Sequence, residues 1–485
     1  ASRGGPAGAM DLDELDELDP VETTDPCTEQ RDYAVVIYGA TGYTGCLMAE
    51  HLDALLSKPD ARPLKWAIAG RDGVKLRKMA RKCKTAPAVI EAQTVTEISQ
   101  MLRSCRVVAN CAGPYSHCGE DLVRECVNQV THYIDVSGEI PFIHSMIAKY
   151  HDKAKEKGVM IVHGAGAVCA PDEICCQALA KRLGKLKQYR EYFNQYGAVS
   201  GGTFFTNLAS MAGLTRDDFQ VMNDPFALGG VPEGGQRPED DDCRQAEQDT
   251  LFPSLWLTPA YNGPAGSRMI RRTCQLFEER PSDDITYGRG LSVCIRGCAI
   301  KQEGAERAIQ QNGPLPSFEA GQMALIGMRS ARDAGQMAKP GEGPGPATRQ
   351  LYYTEVVAVA EGETGEWAHA RYTSGDAYEL TAIACLSGAL VLAEELDLVR
   401  PRERGGVLSP GFAFHGSTWV ERITSEGFAC AEGSVRAKLE VKEGKPEEDQ
   451  MKAAAVELNM RTMQGQSKLM KGELKGWEKP TLLDR

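Results

Sequence analysis

The amino-acid sequence predicts an α/β protein: a doubly wound parallel sheet into which a second, α+β domain is inserted. Three observations carry this. Apolar runs alternate with helical stretches from residue 31 to 165, the first run ends in a glycine turn that opens a helix, and the alternation breaks down between 166 and 370.

The first run, Tyr33-Ala-Val-Val-Ile-Tyr38, stops at Gly39-Ala-Thr41-Gly42-Tyr43-Thr44-Gly45, and an amphipathic stretch continues through Leu55. Glycines spaced three apart between strand and helix have separable uses: a tight turn, close approach of backbone N–H groups to a pyrophosphate, and close helix–strand packing. Phosphate at a helix N-terminus meets unpaired N–H groups and the favourable end of the dipole. The turn therefore predicts a dinucleotide site in a Rossmann-type domain, the plainer alternative being an ordinary strand-to-helix connection. A second strand, Lys65-Trp-Ala-Ile-Ala-Gly70, ends at Arg71, where an NAD-selective chain usually carries an acidic residue. A guanidinium pairs bidentately with a 2′-phosphate, so Arg71 points to NADP rather than NAD; a solvated arginine beside Asp72 is the alternative. Residues 106–110, 132–136 and 159–162 read as further strands, and 119–129 and 141–157 as the helices between them.

From 166 to 370 the segments 283–286, 291–296 and 352–360 read as strands without regular crossover helices. Two loops interrupt them: 229–249, which holds the acidic run Glu239-Asp-Asp-Asp242, and 335–348. Residues 371–440 return to helices, and 380–393 form an apolar stretch too short and too rich in small residues for a membrane span. At the N-terminal end, residues 1–30 are rich in glycine and proline and then acidic. Leucine recurs every third residue over 11–19, which fits neither a helix face nor a strand, so this is an acidic flexible tail. Residues 441–485 are rich in Lys, Glu and Met and read as a charged tail with an exposed helix near 446–458.

Composition narrows the function classes. Against 55 basic residues stand 67 acidic ones, a net charge of −12 that argues against a nucleic-acid surface. Sixteen cysteines show no disulfide framework, which suits a reducing intracellular compartment, either the cytoplasm or an organelle such as the mitochondrion. Cys294 and Cys298 lack a paired Cys-x-x-Cys or histidines, so no metal is expected. The first residues carry neither a basic nor an apolar leader region, and a transit segment already removed would leave no trace in them. No tyrosine is followed four residues later by lysine, which excludes the pair by which short-chain dehydrogenases lower a phenol pKa. No Gly-x-Ser-x-Gly elbow supports a serine hydrolase.

The ordered set Gly39-Ala-Thr-Gly-Tyr-Thr-Gly45, Ala69-Gly-Arg71, Asn110-Cys-Ala-Gly-Pro-Tyr115 with Gly119-Glu120, and Tyr133-Ile-Asp-Val-Ser-Gly-Glu139 resembles the saccharopine dehydrogenase-like oxidoreductases, which include trans-acting enoyl reductases. Ser200-Gly-Gly-Thr203, Pro340-Gly-Glu-Gly-Pro344, Gly375 to Ala382, and Leu408-Ser-Pro with Glu421-Arg and Gly427-Phe428 resemble later segments of that family, so the resemblance spans about residues 31–432. It implies an NADP-binding domain at 31–165, a substrate or dimerisation domain at 166–370, and helices at 371–440 returning to the first domain. It also implies reduction of a C=C, C=O or C=N bond in a small hydrophobic or lipid-type metabolite. Carried over by position, Gly39, Thr41, Gly42, Tyr43, Thr44 and Gly45 would hold the pyrophosphate, Arg71 the 2′-phosphate, and Asn110, Ala112 and Gly113 the ribose and nicotinamide side.

One departure matters. Where the family often reads Gly-Phe-Asp-Ser followed by Pro-x-Asp, this chain reads Gly166-Ala-Val168-Cys169-Ala-Pro171-Asp172-Glu173, so Val168 replaces an aspartate. Tyr115, His117 and Glu173 are the remaining candidates for proton handling. The alternative to an active oxidoreductase is therefore a nucleotide-binding accessory subunit of a larger assembly, docked through its tails. A homodimer and a peripheral association with lipid are compatible with the same features.

Overall fold

The computed structural model describes residues 31–280, 287–424, 437–472 and 476–483. The acidic segment 1–30 and the strand expected at 283–286 lie outside the described residues.

The first domain is built on β1 (Tyr33–Tyr38), β2 (Trp66–Gly70), β3 (Ala88–Glu91), β4 (Cys105–Asn110), β5 (His132–Asp135) and β6 (Met160–Val162). They pair in parallel in the order β6-β5-β4-β1-β2-β3, and the strand Gly406–Leu408 adds in parallel beyond β6. Val35, Val36 and Ile37 are fully buried because helices cover both faces of a parallel sheet, which is why β1 reads as a continuous apolar run. In register, Tyr38 lies beside both Ala69 and Asn110, so the residues that leave β1, β2 and β4 emerge together. The order reverses at β1. That switch point opens the crevice in which such sheets hold ligands.

The helix Ala377–Glu394 returns to this sheet and packs against the helix Tyr43–Leu56, β4 and β5. By length and composition it could cross a membrane, but most of it is buried inside the protein, as a core helix would be.

The second sheet contains β7 (Leu186–Tyr196), β8 (Glu247–Gln248), β9 (Trp256–Thr258), β10 (Ser292–Ala299), β11 (Tyr353–Gly362) and β12 (Trp367–Ser374), in the order β12-β11-β7-β10-β9-β8. β7 runs parallel to β10 and antiparallel to β11. The acidic stretch lies in a loop, as expected, but the loop turns Asp240 into this domain's interior and leaves Asp241 exposed. The helix Gly263–Glu278 buries Arg268 and Arg271, which pair with Asp242 at 3.0 Å and Asp240 at 3.1 Å. A buried guanidinium is tolerated only with such a partner, so Asp240 and Asp242 answer to the helix. Asp240 also accepts from Ser292 Oγ and the Val293 N–H, both at 3.1 Å.

The charged C-terminal segment is likewise not a detached tail. Lys438–Glu443 forms an antiparallel edge strand on β12, and the helix Glu448–Met470 packs on β7 with Met451 and Ala455 buried. Main-chain pairing is indifferent to side-chain charge, and charged residues suit an edge strand because they discourage further pairing. Glu478 then exchanges backbone hydrogen bonds with Gly343 at 2.7 and 2.9 Å, the Leu482 N–H donates to Glu50 Oε1 at 3.0 Å, and Lys82 Nζ donates to the Leu482 carbonyl at 2.9 Å. These last residues strap the two domains together.

Asp240→Ala is expected to lower stability by about 3–5 kcal/mol in denaturant unfolding, because Arg271 stays buried without its charge partner. Asp241→Ala, one residue on and exposed, should change it by less than about 0.5 kcal/mol.

Candidate functional site: a glycine turn facing the loop after β4

Gly39 takes φ +79°, and a Cβ there would lie 2.8 Å from the Ala112 nitrogen. A Cβ on Gly45 would lie 2.4 Å from the Gly39 carbonyl oxygen. Glycine is therefore required at both places, at the first by backbone conformation and by the loop after β4, at the second by helix–turn packing. Gly42 is the N-cap of the helix Tyr43–Leu56, no side chain caps that end, and no acidic residue lies in its first turn. The N–H groups at the start of the helix are thus left for an anion. Thr41 and Thr44 sit half-buried along the turn.

The Tyr43 side chain does not face this turn. Its hydroxyl donates to the Pro344 carbonyl at 2.5 Å and accepts from Arg349 Nη1 at 3.1 Å, and its ring meets Tyr378 edge-on. Arg349 is itself held by Glu379 at 2.8 Å. The expected phosphate role reduces, at Tyr43, to its main chain, while its ring locks the turn to the second domain.

Arg71 follows β2 and is exposed, with no ion pair or hydrogen bond among the described residues. Burial raises the Tyr38 hydroxyl and the Cys118 thiol, and Arg71 partly offsets both, which places its charge beside the end of β1 and the loop after β4. Asp72 does not compete for that place. Its carboxylate caps the next helix by accepting from the Lys75 N–H at 3.0 Å, and it pairs with Lys75 Nζ at 3.1 Å.

The loop after β4 is held from beneath by a buried chain of hydrogen bonds. Asp135 accepts from the Tyr133 hydroxyl at 2.7 Å and from His163 Nδ1 at 2.8 Å on one oxygen, and from the Ser137 and Gly164 N–H groups at 3.0 and 3.1 Å on the other. Having donated to Asp135, the Tyr133 oxygen accepts from Asn110 Nδ2 at 3.0 Å. Asn110 Oδ1 then accepts from the Ala112 N–H at 2.9 Å. The Asn110 side chain is therefore engaged in shaping its own loop, and Ala112 and Gly113 are what the loop presents to the crevice. Opposite them, a Cβ on Gly113 would lie 2.8 Å from Thr206 Oγ1 on the helix Gly201–Gly213 of the second domain.

Residues 35–162 match the family model described as the saccharopine dehydrogenase NADP-binding domain. Along nearly its whole length the first domain is similar to a saccharopine dehydrogenase NADP-binding domain. The chain is similar to the trans-acting enoyl reductase of Mycobacterium ulcerans (strain Agy99), 27% identical over 423 residues that cover 82% of this chain and 97% of that protein. The trans-acting enoyl reductase of Mycobacterium bovis (strain BCG / Pasteur 1173P2) is also 27% identical, over 426 residues covering 82% and 97%. Among solved structures, the apo saccharopine dehydrogenase (L-Glu forming) of Saccharomyces cerevisiae aligns with a TM-score of 0.45 at 12% identity, over 84% of this chain and all of that one. The chain is an NADP-dependent oxidoreductase.

Around this saccharopine dehydrogenase-type domain the three expected proton-handling residues fall in different places. Tyr115 is buried and donates its hydroxyl to the Asn110 carbonyl at 3.0 Å, so it braces the loop. His117 is exposed beside Gly213 at the lip of the crevice. Glu173 lies fully buried away from the turn, where Oε1 accepts from Thr273 Oγ1 at 2.7 Å and Oε2 lies against Gly411. Val168, at the position of the family aspartate, packs against Gly138 and the end of β5, near Ala265. The sequence reading did not single out Glu139. Its carboxylate accepts from the Tyr115 and Ser116 N–H groups at 2.7 and 3.1 Å and from Ser210 Oγ at 2.8 Å, joining the two walls of the crevice.

Tyr133→Phe removes the acceptor for Asn110. NADPH binding by calorimetry is expected to weaken about three- to tenfold, the size of one lost hydrogen bond, while adenosine 2′,5′-bisphosphate, which has no nicotinamide, binds as before.

Burial pushes the Glu173 carboxyl up to about 8 from an ordinary 4.5. The folded protein then keeps a proton that the unfolded chain releases, so the stabilisation from this group is full below about pH 4.5 and falls as pH rises towards 8. Glu173→Gln should flatten the decline in unfolding free energy between pH 5 and 8, measured as the difference from wild type.

Proposed function

We propose that this chain is an NADPH-dependent reductase of a C=C bond conjugated to a carbonyl group. The observation that carries the reading is the juxtaposition of Gly39 with Ala112. It sets an uncapped helix N-terminus and a small-residue loop side by side beyond the carboxyl ends of β1 and β4. In this reading the main chain of 39–45 holds the pyrophosphate, Arg71 the 2′-phosphate, and Ala112 and Gly113 the nicotinamide side. NADPH supplies the hydride. The protein supplies orientation and exclusion of water, for which the helix Gly201–Gly213 lies across Gly113. The enoyl reductase names of the Mycobacterium relatives favour an acyl substrate over a ketone or an imine.

One observation favours a second reading. Val168 puts an isopropyl group where the family often has a carboxylate, and a chain that keeps its cofactor cradle while losing a cleft acid could serve as an accessory subunit. The two readings part on turnover. NADPH oxidation with S-crotonyl-N-acetylcysteamine at about 1–1000 per second supports the reductase. Tight NADPH binding without turnover of enoyl thioesters, enones or imines supports the accessory role.

The cofactor assignment has its own test. Wild-type protein should bind NADPH more tightly than NADH, and Arg71→Ala should reduce that preference about tenfold or more, the loss of a bidentate charged pair. Equal affinity of the wild-type protein for both nucleotides would remove Arg71 from the site.

A further inference from the structure

The helix Gly201–Gly213 is apolar in composition, yet Thr203, Thr206 and Ser210 fall at the i, i+3, i+7 spacing of one face. That face is turned to the nucleotide-binding domain, while Phe204 and Leu208 pack with Leu325. Both ends of the face are fastened. Thr203 Oγ1 lies 2.8 Å from the hydroxyl of Tyr378, on the helix Ala377–Glu394 that packs against the first sheet, and the Ser200 N–H donates to the same hydroxyl at 2.7 Å. Ser210 Oγ donates to Glu139 Oε2 at 2.8 Å and lies 3.4 Å from Ser116 Oγ. Contacts on either side of Thr206 therefore fix its place over the loop after β4.

Thr206 differs from both neighbours on this face. It is half-buried, and its Oγ1 is the atom nearest to where a Cβ on Gly113 would stand, 2.8 Å away. Among the described residues its hydroxyl has no hydrogen-bond partner. A threonine within a helix readily turns its hydroxyl back to the carbonyl four residues earlier, as Thr424 and Thr462 do at 2.7 and 2.9 Å, and Thr206 does not. Other polar side chains gathered at the loop are already engaged: Asn110 with Tyr133 and the Ala112 N–H, Tyr115 with the Asn110 carbonyl, and Glu139 with the Tyr115 and Ser116 N–H groups. A half-buried hydroxyl held in place without a partner is completed by a ligand at lower cost than a mobile one, because its orientation is already fixed.

We propose that Thr206 is the nicotinamide anchor of the cofactor site, its hydroxyl donating to the carboxamide oxygen. This rests on the cofactor reading above and adds to it a residue of the second domain. A nicotinamide is an apolar ring with one polar substituent. Ala112 and Gly113 offer it small side chains and main chain, and Thr206, directly across from Gly113, offers the carboxamide a hydrogen-bond donor. The pyrophosphate and 2′-phosphate are then held by the first domain alone, and the nicotinamide by both. Because the helix that carries Thr206 is tied to Tyr378 at one end and to Glu139 at the other, the ring is positioned by elements that do not depend on the glycine turn.

The test is calorimetry on the full-length protein with NADP⁺, with its thionicotinamide analogue, whose carboxamide oxygen is replaced by the weaker acceptor sulfur, and with 2′-phospho-ADP-ribose. The last keeps the pyrophosphate, both riboses and the 2′-phosphate and lacks only the nicotinamide. Thr206→Val keeps the branched shape and removes the hydroxyl. It should weaken NADP⁺ binding about three- to tenfold, the size of one lost hydrogen bond, and abolish the wild-type preference for NADP⁺ over the thio analogue. Binding of 2′-phospho-ADP-ribose and the melting temperature should not change, and Thr206→Ser, which keeps the hydroxyl, should bind NADP⁺ as wild type does. The proposal is overturned if Thr206→Val binds NADP⁺ as tightly as wild type, if it weakens 2′-phospho-ADP-ribose equally, or if Thr206→Ser loses as much as Thr206→Val. Should Thr206→Val fail to fold, Thr206→Ala is read against the same three ligands. Wild-type protein that binds neither NADP⁺ nor 2′-phospho-ADP-ribose overturns the cofactor reading instead, and the proposal falls with it.

Discussion

The crevice depends first on one buried carboxylate. Asp135 is wholly inaccessible, and among the described residues its carboxyl group meets no lysine or arginine but four hydrogen-bond donors. With both Asp135 oxygens accepting, the direction of every bond beyond them follows: Tyr133 donates to Asp135, Asn110 Nδ2 donates to Tyr133, and Asn110 Oδ1 accepts from the Ala112 N–H. The ends of β4, β5 and β6 are thereby tied to one another. A single unpaired member would leave a buried polar group costing on the order of 1–3 kcal/mol, so the network is more constraining than any one of its distances suggests.

A second set of contacts sets the opposite wall. Tyr43 leaves the glycine turn to meet Pro344 and Arg349, Glu139 joins the start of one helix to Ser210 of another, and the segment 476–483 runs from Gly343 to Glu50 and Lys82. The second domain is thus fastened to the nucleotide-binding domain on both sides of the crevice. This explains why residues far apart in sequence, 113 and 206, meet there: each belongs to an element anchored to the other domain within a few residues.

The first sheet was legible because its strands are buried on both faces and therefore apolar without interruption, and because the glycine turn has few other uses. β3 was not. It is a four-residue edge strand with three residues half-buried and Glu91 exposed. β7, at the centre of the second sheet, was hidden for a different reason: Arg190, Glu191 and Asn194 interrupt its apolar pattern, and only the fold supplies Asp249 as partner for Arg190. The pairing of the acidic run at 239–242 was hidden in the same way, since its partners Arg268 and Arg271 lie on a helix some thirty residues later. At the site, the turn, Arg71 and the loop after β4 could be read from spacing, whereas the role of Glu139 in joining the two walls could not, because Ser210 lies some seventy residues away.

Val168 gains meaning from this arrangement. It packs on Gly138, next to Glu139 and three residues beyond Asp135, so the missing carboxylate would have stood on the rim of the Asp135 network rather than within it. Replacing it with valine removes no hydrogen bond that holds Asn110, Ala112 or Glu139 in place. The cofactor cradle and the acid are therefore separable in this fold. The facing wall is polar in its own right: the helix Gly201–Gly213 turns Thr206 towards Gly113 and Ser210 towards Glu139. A reductase reaction needs one group to hold charge on the acceptor and a nearby source of protons, and it does not require that group to be a carboxylate. Valine at 168 thus leaves the geometry of the nucleotide-binding domain as its sequence specifies.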